Sequence, residues 1–103
     1  MNHVLHRIDE KNNPCSVHAR IRMQQRCIPA IVPDCLLDYG ASHRTAHGNI
    51  RYFNKRSRRC IQRDLTPARK KQVEPYFNCY LVEADDGTII TVGYRYRRMR
   101  HRD

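Results

Sequence analysis

His18, Arg22 and Arg26 recur at i, i+4 and i+8 in the stretch SVHARIRMQQR, a spacing that puts them along one side of a helix. Near the other end Thr91, Arg95 and Arg97 alternate with Val92, Tyr94 and Tyr96 in TVGYRYR, which puts the first set on one face of a strand. These residue types suit metal-independent cleavage of RNA. There the ribose 2′-OH attacks the adjacent phosphorus, so the reaction needs a base, an acid for the leaving oxygen and cations for the developing phosphorane charge. Histidine titrates near neutrality and fits the first two tasks. Arginine, with its planar fork of donors, fits the third. His18 is therefore the candidate acid or base, Arg95 and Arg97 the candidate phosphate clamp, and Arg22 and Arg26 its assistants. The plainer reading stands beside it: a histidine at a helix start caps or packs, and an arginine stripe is a solvated face.

Charge supports an anionic partner. The 103 residues carry 20 Lys+Arg against 10 Asp+Glu, a formal net charge of +10. Arg51 and a basic stretch after it (Arg56, Arg58, Arg59, Arg63, Lys70, Lys71) are candidates for gripping phosphates, as are Arg98 and Arg100 in the closing YRYRRMRHRD. Such contacts release counterions and make affinity fall steeply with salt. RNA is the first partner expected, with DNA as the alternative and an acidic protein second. His43 and His47 flank a hairpin turn and are candidates for touching a nucleotide, although an exposed turn histidine usually has no role. Tyr52, Tyr94 and Tyr96 stand next to cations, a pattern that can stack bases, although alternation assigns Tyr94 to the core.

No cofactor or metal is expected. Cys15 and His18 have C-x-x-H spacing, but no second close pair completes a tetrahedral site. Asp85 and Asp86 belong to a turn that asks for them on backbone grounds, and no glycine-rich phosphate loop occurs. The five cysteines are odd in number and scattered, so they read as reduced, mostly core-filling thiols. The amino terminus MNHVLHRIDEKNNP has no apolar h-region, and no stretch approaches transmembrane length. A cytoplasmic protein without membrane contact is expected.

The elements that must position these groups are legible by period. Residues 1–15 are polar and read as a flexible segment; 16–103 read as one domain. Ser16 is a good N-cap for a first helix through about Arg26, with Val17, Ile21 and Ile28 on one side. IPAIVPDCLLDYG reads as a second helix carrying Val32, Cys35, Leu36 and Tyr39 on its apolar face, with Gly40 as a left-handed C-terminal cap. ASHRTA, the turn HG and NIRYFN read as a hairpin with Ile50 and Tyr52 facing one way. SRRCIQRDL reads as a short helix and TPARKKQVEP as helix or loop. CYLVEA and TIITVGYRY flank DDGT, whose Asp-Gly favours a tight antiparallel turn. On the last strand Ile90, Val92, Tyr94 and Tyr96 line one face. The expected class is α+β: two N-terminal helices packed on a four-stranded, mostly antiparallel sheet, with a basic helical or loop insert between the hairpins.

SVHARIRMQQRCIP, LLDYG, RYFNKRSRR and YLVEADDGTIITVGYRYRR resemble the small bacterial domains grouped as DUF4258, which are similar in layout to the RelE/ParE superfamily of toxins, its BrnT branch included. The likeness spans roughly residues 16 to 100. It implies two helices followed by an antiparallel sheet. For activity it implies metal-independent endoribonuclease action, or partner binding, under the control of an acidic antitoxin. Two readings of other kinds compete with the ribonuclease: a non-catalytic nucleic-acid-binding module that uses the same arginines as clamps, and a basic protein that docks an acidic antitoxin-like partner.

Overall fold

A computed structural model describes residues 15–95. In chain order these form α1 (Val17–Gln25), α2 (Ile31–Tyr39), β1 (Ala41–Thr45), β2 (Gly48–Tyr52), α3 (Lys55–Asp64), α4 (Pro67–Val73), a 3-10 turn (Glu74–Tyr76), β3 (Cys79–Glu83) and β4 (Ile89–Tyr94). The four strands make one sheet in the order β1-β2-β3-β4, and all three pairings are antiparallel. The α+β class expected from the sequence is the class observed. The basic stretch between the hairpins is two helices, α3 and α4. Each starts on a side-chain cap: Asn54 accepts from the Ser57 N–H, and Thr66 from the Arg69 N–H.

Three layers build the core. Residues Val32 to Leu37 of α2 are all buried, because the helix packs on β2 and β3 while α3 and α4 cover it from behind. Leu36, Phe53, Ile61, Val73, Leu81, Ile89 and Val92 are fully enclosed around it. α1 lies against β4, where the Ser16 N–H donates to the Ile89 carbonyl at 3.0 Å and the Tyr94 hydroxyl donates to the Arg26 carbonyl at 3.0 Å. Cys15, assigned from sequence to a flexible segment, forms a parallel bridge with Ile89.

Several local expectations change. Val17 and Ile21, expected to face the core, are 73% and 46% exposed. The helix turns Ala19 and Met23 inward instead, and only Ile28, beyond a left-handed residue at Cys27 (φ 55°), is buried as expected. Gly40 is not left-handed; its φ is −67°. Glycine is required there by space, since an added Cβ would collide with the Leu36 carbonyl oxygen. The DDGT turn does need its glycine for conformation: Gly87 has φ 92°, and Asp86 accepts from the Thr88 N–H at 2.9 Å.

The faces of β4 are set by a bulge. The register shifts between Val82 and Glu83, so that Ile89 pairs with Glu83 and Thr91 with Val82, leaving Ile90 as the extra residue. Ile90 is exposed and Ile89 buried, the reverse of strict alternation. Beyond the bulge the expected phase returns. Val92 and Tyr94 face the helices, and Thr91, Gly93 and Arg95 lie on the opposite face with their neighbours His43, Ile50, Tyr52, Tyr80 and Val82. No helix among the described residues is long and apolar enough to cross a membrane.

Candidate nucleic-acid interface

The cationic centre forms where β2 runs into α3. Phe53 is fully buried, held edge-on against Phe77 with ring centroids 5.3 Å apart. That anchors its carbonyl, which accepts from Arg58 Nη1 and Arg95 Nη2, both at 3.4 Å. Arg58 arrives from the first turn of α3 and Arg95 from the end of β4, whose backbone N–H is tied to the Asn78 carbonyl at 2.7 Å. The Arg95 guanidinium also lies over the Tyr52 ring, 5.4 Å from its centroid, in cation–π contact. Its Nε is buried without a hydrogen-bond partner. Burial first, and then the like charge of Arg58, hold the Arg95 guanidinium below its ordinary pKa, yet an arginine stays charged. Among the described residues neither Arg58 nor Arg95 has a carboxylate partner. Two half-buried like charges sharing one weak acceptor are an arrangement that an anion would relieve.

An aromatic surface adjoins this pair. Tyr80 pairs with Gly93 across the strands, and its ring covers the place a side chain would take, 3.4 Å from where a Cβ would sit. The ring stays half-exposed. Tyr52, paired with Tyr80 on the other side, is buried and acts as the bed for Arg95. Sequence reasoning named Tyr52 but passed over Tyr80. The signal for Tyr80 was its register opposite the glycine of TVGYR, which needs the strand pairing to be read.

The remaining candidates separate. His18 is exposed on α1, and Arg22 and Arg26 are half-buried there. α1 packs on the side of β4 to which Tyr94 points, whereas Arg95 lies on the other side, so the structure does not place this trio beside Arg95. Arg51 faces the helices and is consumed internally. Its Nε meets Glu83 Oε1 at 2.5 Å, and its Nη1 donates to the Leu37 carbonyl at 3.4 Å. Its expected place on a phosphate is therefore withdrawn. Arg63 is paired with its neighbour Asp64 at 2.8 Å, and Lys70 donates to the Gln62 carbonyl at 3.3 Å. Arg56, Arg59 and Lys71 remain exposed. Arg97, Arg98 and Arg100, with Tyr96, lie outside the described residues.

Of the histidines, His43 lies on the open sheet face, paired with Ile50, and His47 is an exposed turn residue. Tyr94, expected in the core, packs against it and donates to the Arg26 carbonyl. The cysteines are free thiols. Burial pushes Cys35 and Cys79 up to about 12, so both are neutral core residues; Cys27 alone is exposed. Among the described residues no group of three or more His, Cys, Asp or Glu is placed to hold a metal ion. No family model, no curated protein and no solved structure matches this chain.

Proposed function

We propose that the chain is a single-stranded RNA-binding domain that seats a phosphate between Arg58 and Arg95 and stacks an unpaired base on Tyr80. The observation that carries this reading is the shared Phe53 carbonyl: two guanidinium groups from distant parts of the chain meet there with no carboxylate partner among the described residues. Phosphate oxygens would supply the counter-charge, and guanidinium binds them in charge-assisted pairs. The half-exposed tyrosine beside it favours a strand whose bases are free to splay out, since duplex RNA offers mainly shape and backbone. Arg56 and Arg59 extend the cationic surface along α3 and give the backbone a second place to run.

Titration of a fluorescent single-stranded RNA at several salt concentrations tests the reading. Affinity should fall with salt by a log–log slope of about 0.7 per phosphate engaged. Tyr80→Ala should weaken binding by about tenfold, the scale of one base–aromatic stack, and leave that slope unchanged. Absence of binding at low salt would refute the assignment.

The endoribonuclease implied by the resemblance to RelE/ParE-like toxins is a second reading, and one observation favours a version of it. His43 shares the sheet face with Tyr52, Tyr80 and Thr91, so a strand laid across that face passes an imidazole side chain. Incubation of the pure protein with total RNA in EDTA decides it. If RNA is cut, His43→Ala should abolish the cutting and His18→Ala should not; intact RNA leaves a binding domain.

A further inference from the structure

The site between Arg58 and Arg95 calls for more negative charge than the interior of an RNA strand offers. Arg58 Nη1 and Arg95 Nη2 each lie 3.4 Å from the Phe53 carbonyl oxygen, so the oxygens of one phosphate group can reach both guanidinium groups. Among the described residues neither arginine has a carboxylate partner, and the shared carbonyl contributes only a dipole. An internal phosphodiester brings one negative charge and two unesterified oxygens, which leaves one of the two positive charges uncompensated. A phosphomonoester brings about 1.5 to 2 negative charges at neutral pH and three such oxygens. The difference counts because the site is partly enclosed. Arg95 is half-buried, its Nε is buried, and the Tyr52 ring lies under its guanidinium. Charges held in this way are screened by salt less than exposed ones.

Position in the fold points the same way. β2 finishes at Tyr52 and β4 at Tyr94, while β1 begins at Ala41 and β3 at Cys79. Ala41 pairs with Tyr52, Tyr52 with Tyr80 and Cys79 with Tyr94, so all four strands end or begin at this one edge. The stacking surface therefore lies to one side of the arginine pair only, over Tyr80 and on toward Val82 and Thr91. A strand that ends at Arg58 and Arg95 lays its terminal base on Tyr80 and its further nucleotides across that face. A cavity of about 300 Å³ borders the same junction, but Asp38 lines it together with Asn54 and Arg56. A carboxylate in the wall makes it the poorer seat for a dianion.

We propose that the Arg58–Arg95 site receives the terminal phosphomonoester of a single-stranded RNA, at its 5′ or 3′ end, with the terminal base on Tyr80. The inference rests on the RNA-binding reading above and adds an end requirement to it.

Calorimetric titration of unlabelled pentauridines tests it. One strand carries a 5′-phosphate, one a 3′-phosphate and one hydroxyls at both ends. Two more carry the methyl esters of the two terminal phosphates, which keep the group in place and remove its second charge. One phosphorylated strand should bind about tenfold tighter than the hydroxyl-ended strand, the scale of one added hydrogen bond between charged groups, and its identity names the end. Methylation should erase that advantage, a comparison that needs no altered protein. Arg95→Met, checked for folding by its melting curve, should bring the ratio of the two affinities close to one. If all five strands bind alike with normal salt dependence, the end requirement is refuted and the clamp on internal phosphates stands. A methylated strand that matches its phosphorylated parent overturns it as well, because the second charge then counts for nothing. If none binds, the RNA-binding reading fails and this inference with it.

Discussion

Arg58→Ala combined with Arg95→Met should lower affinity for single-stranded RNA about 100-fold while leaving the melting temperature within a few degrees of the original. Hydrogen bonds to charged groups contribute about 1.5–3 kcal/mol each, and every 1.4 kcal/mol is tenfold in affinity. Losing both guanidinium groups therefore removes about two orders of magnitude even at the low end of that range. The log–log salt slope should become shallower by about 0.7 for each phosphate no longer neutralised. Stability should hold for a separate reason. Each guanidinium makes only a 3.4 Å bond to the Phe53 carbonyl, and Arg95 is disfavoured as a cation by burial first and by the like charge of Arg58 after it. Methionine at 95 keeps an apolar stem over the Tyr52 ring, so the covering of that ring survives while the charge goes. A residue retained for stability would show the opposite pattern, with a large fall in melting temperature and unchanged affinity. Measurement of both quantities on the same variant separates the two.

Glu83→Ala should have the largest effect on folding among polar substitutions. Glu83 is 8% exposed, and it accepts from Arg51 Nε at 2.5 Å and from the Asn49 side-chain nitrogen at 3.2 Å. Removing one partner of a buried ion pair strands the other charge and costs about 3–5 kcal/mol. A domain of this size has only about 5–15 kcal/mol of stability in total. At about 4–8 °C per kcal/mol, the melting temperature should drop by more than 10 °C. Replacing both partners, Glu83→Leu with Arg51→Met, should recover most of the loss, because the desolvation of two ions is then no longer required. RNA affinity of the double variant should match the original, since Arg51 faces the helices and not the side on which Arg58 and Arg95 meet. A loss of affinity without a loss of stability would return Arg51 to the nucleic-acid interface.

Arg51, Arg58 and Arg95 look alike in the chain. Each stands in a basic stretch, and period places Arg95 correctly on the face opposite Val92 and Tyr94. What distinguishes the three is the company each keeps at long range. Arg51 meets a carboxylate 32 residues away, whereas Arg95 and Arg58 meet each other. Likewise the two apolar sets on α1, Val17 with Ile21 and Ala19 with Met23, differ little in spacing; packing against β4 chooses the second. The bulge at Val82/Glu83 inverts Ile89 and Ile90 for the same kind of reason, since a register shift belongs to a pair of strands and not to either one.

The amino-acid order alone thus determined the α+β class, both hairpins, the Ser16 cap of α1, the Asp-Gly turn and the strong positive charge. Each of these follows from backbone geometry over a few neighbouring residues, or from counting. Tertiary structure decided that Arg51 pairs with Glu83 while Arg58 and Arg95 meet at the Phe53 carbonyl, where the half-exposed Tyr80 lies, and that Asp38, Asn54 and Arg56 line a cavity. Those outcomes depend on which side chains meet across the packed layers, and short-range periodicity carries no record of such meetings.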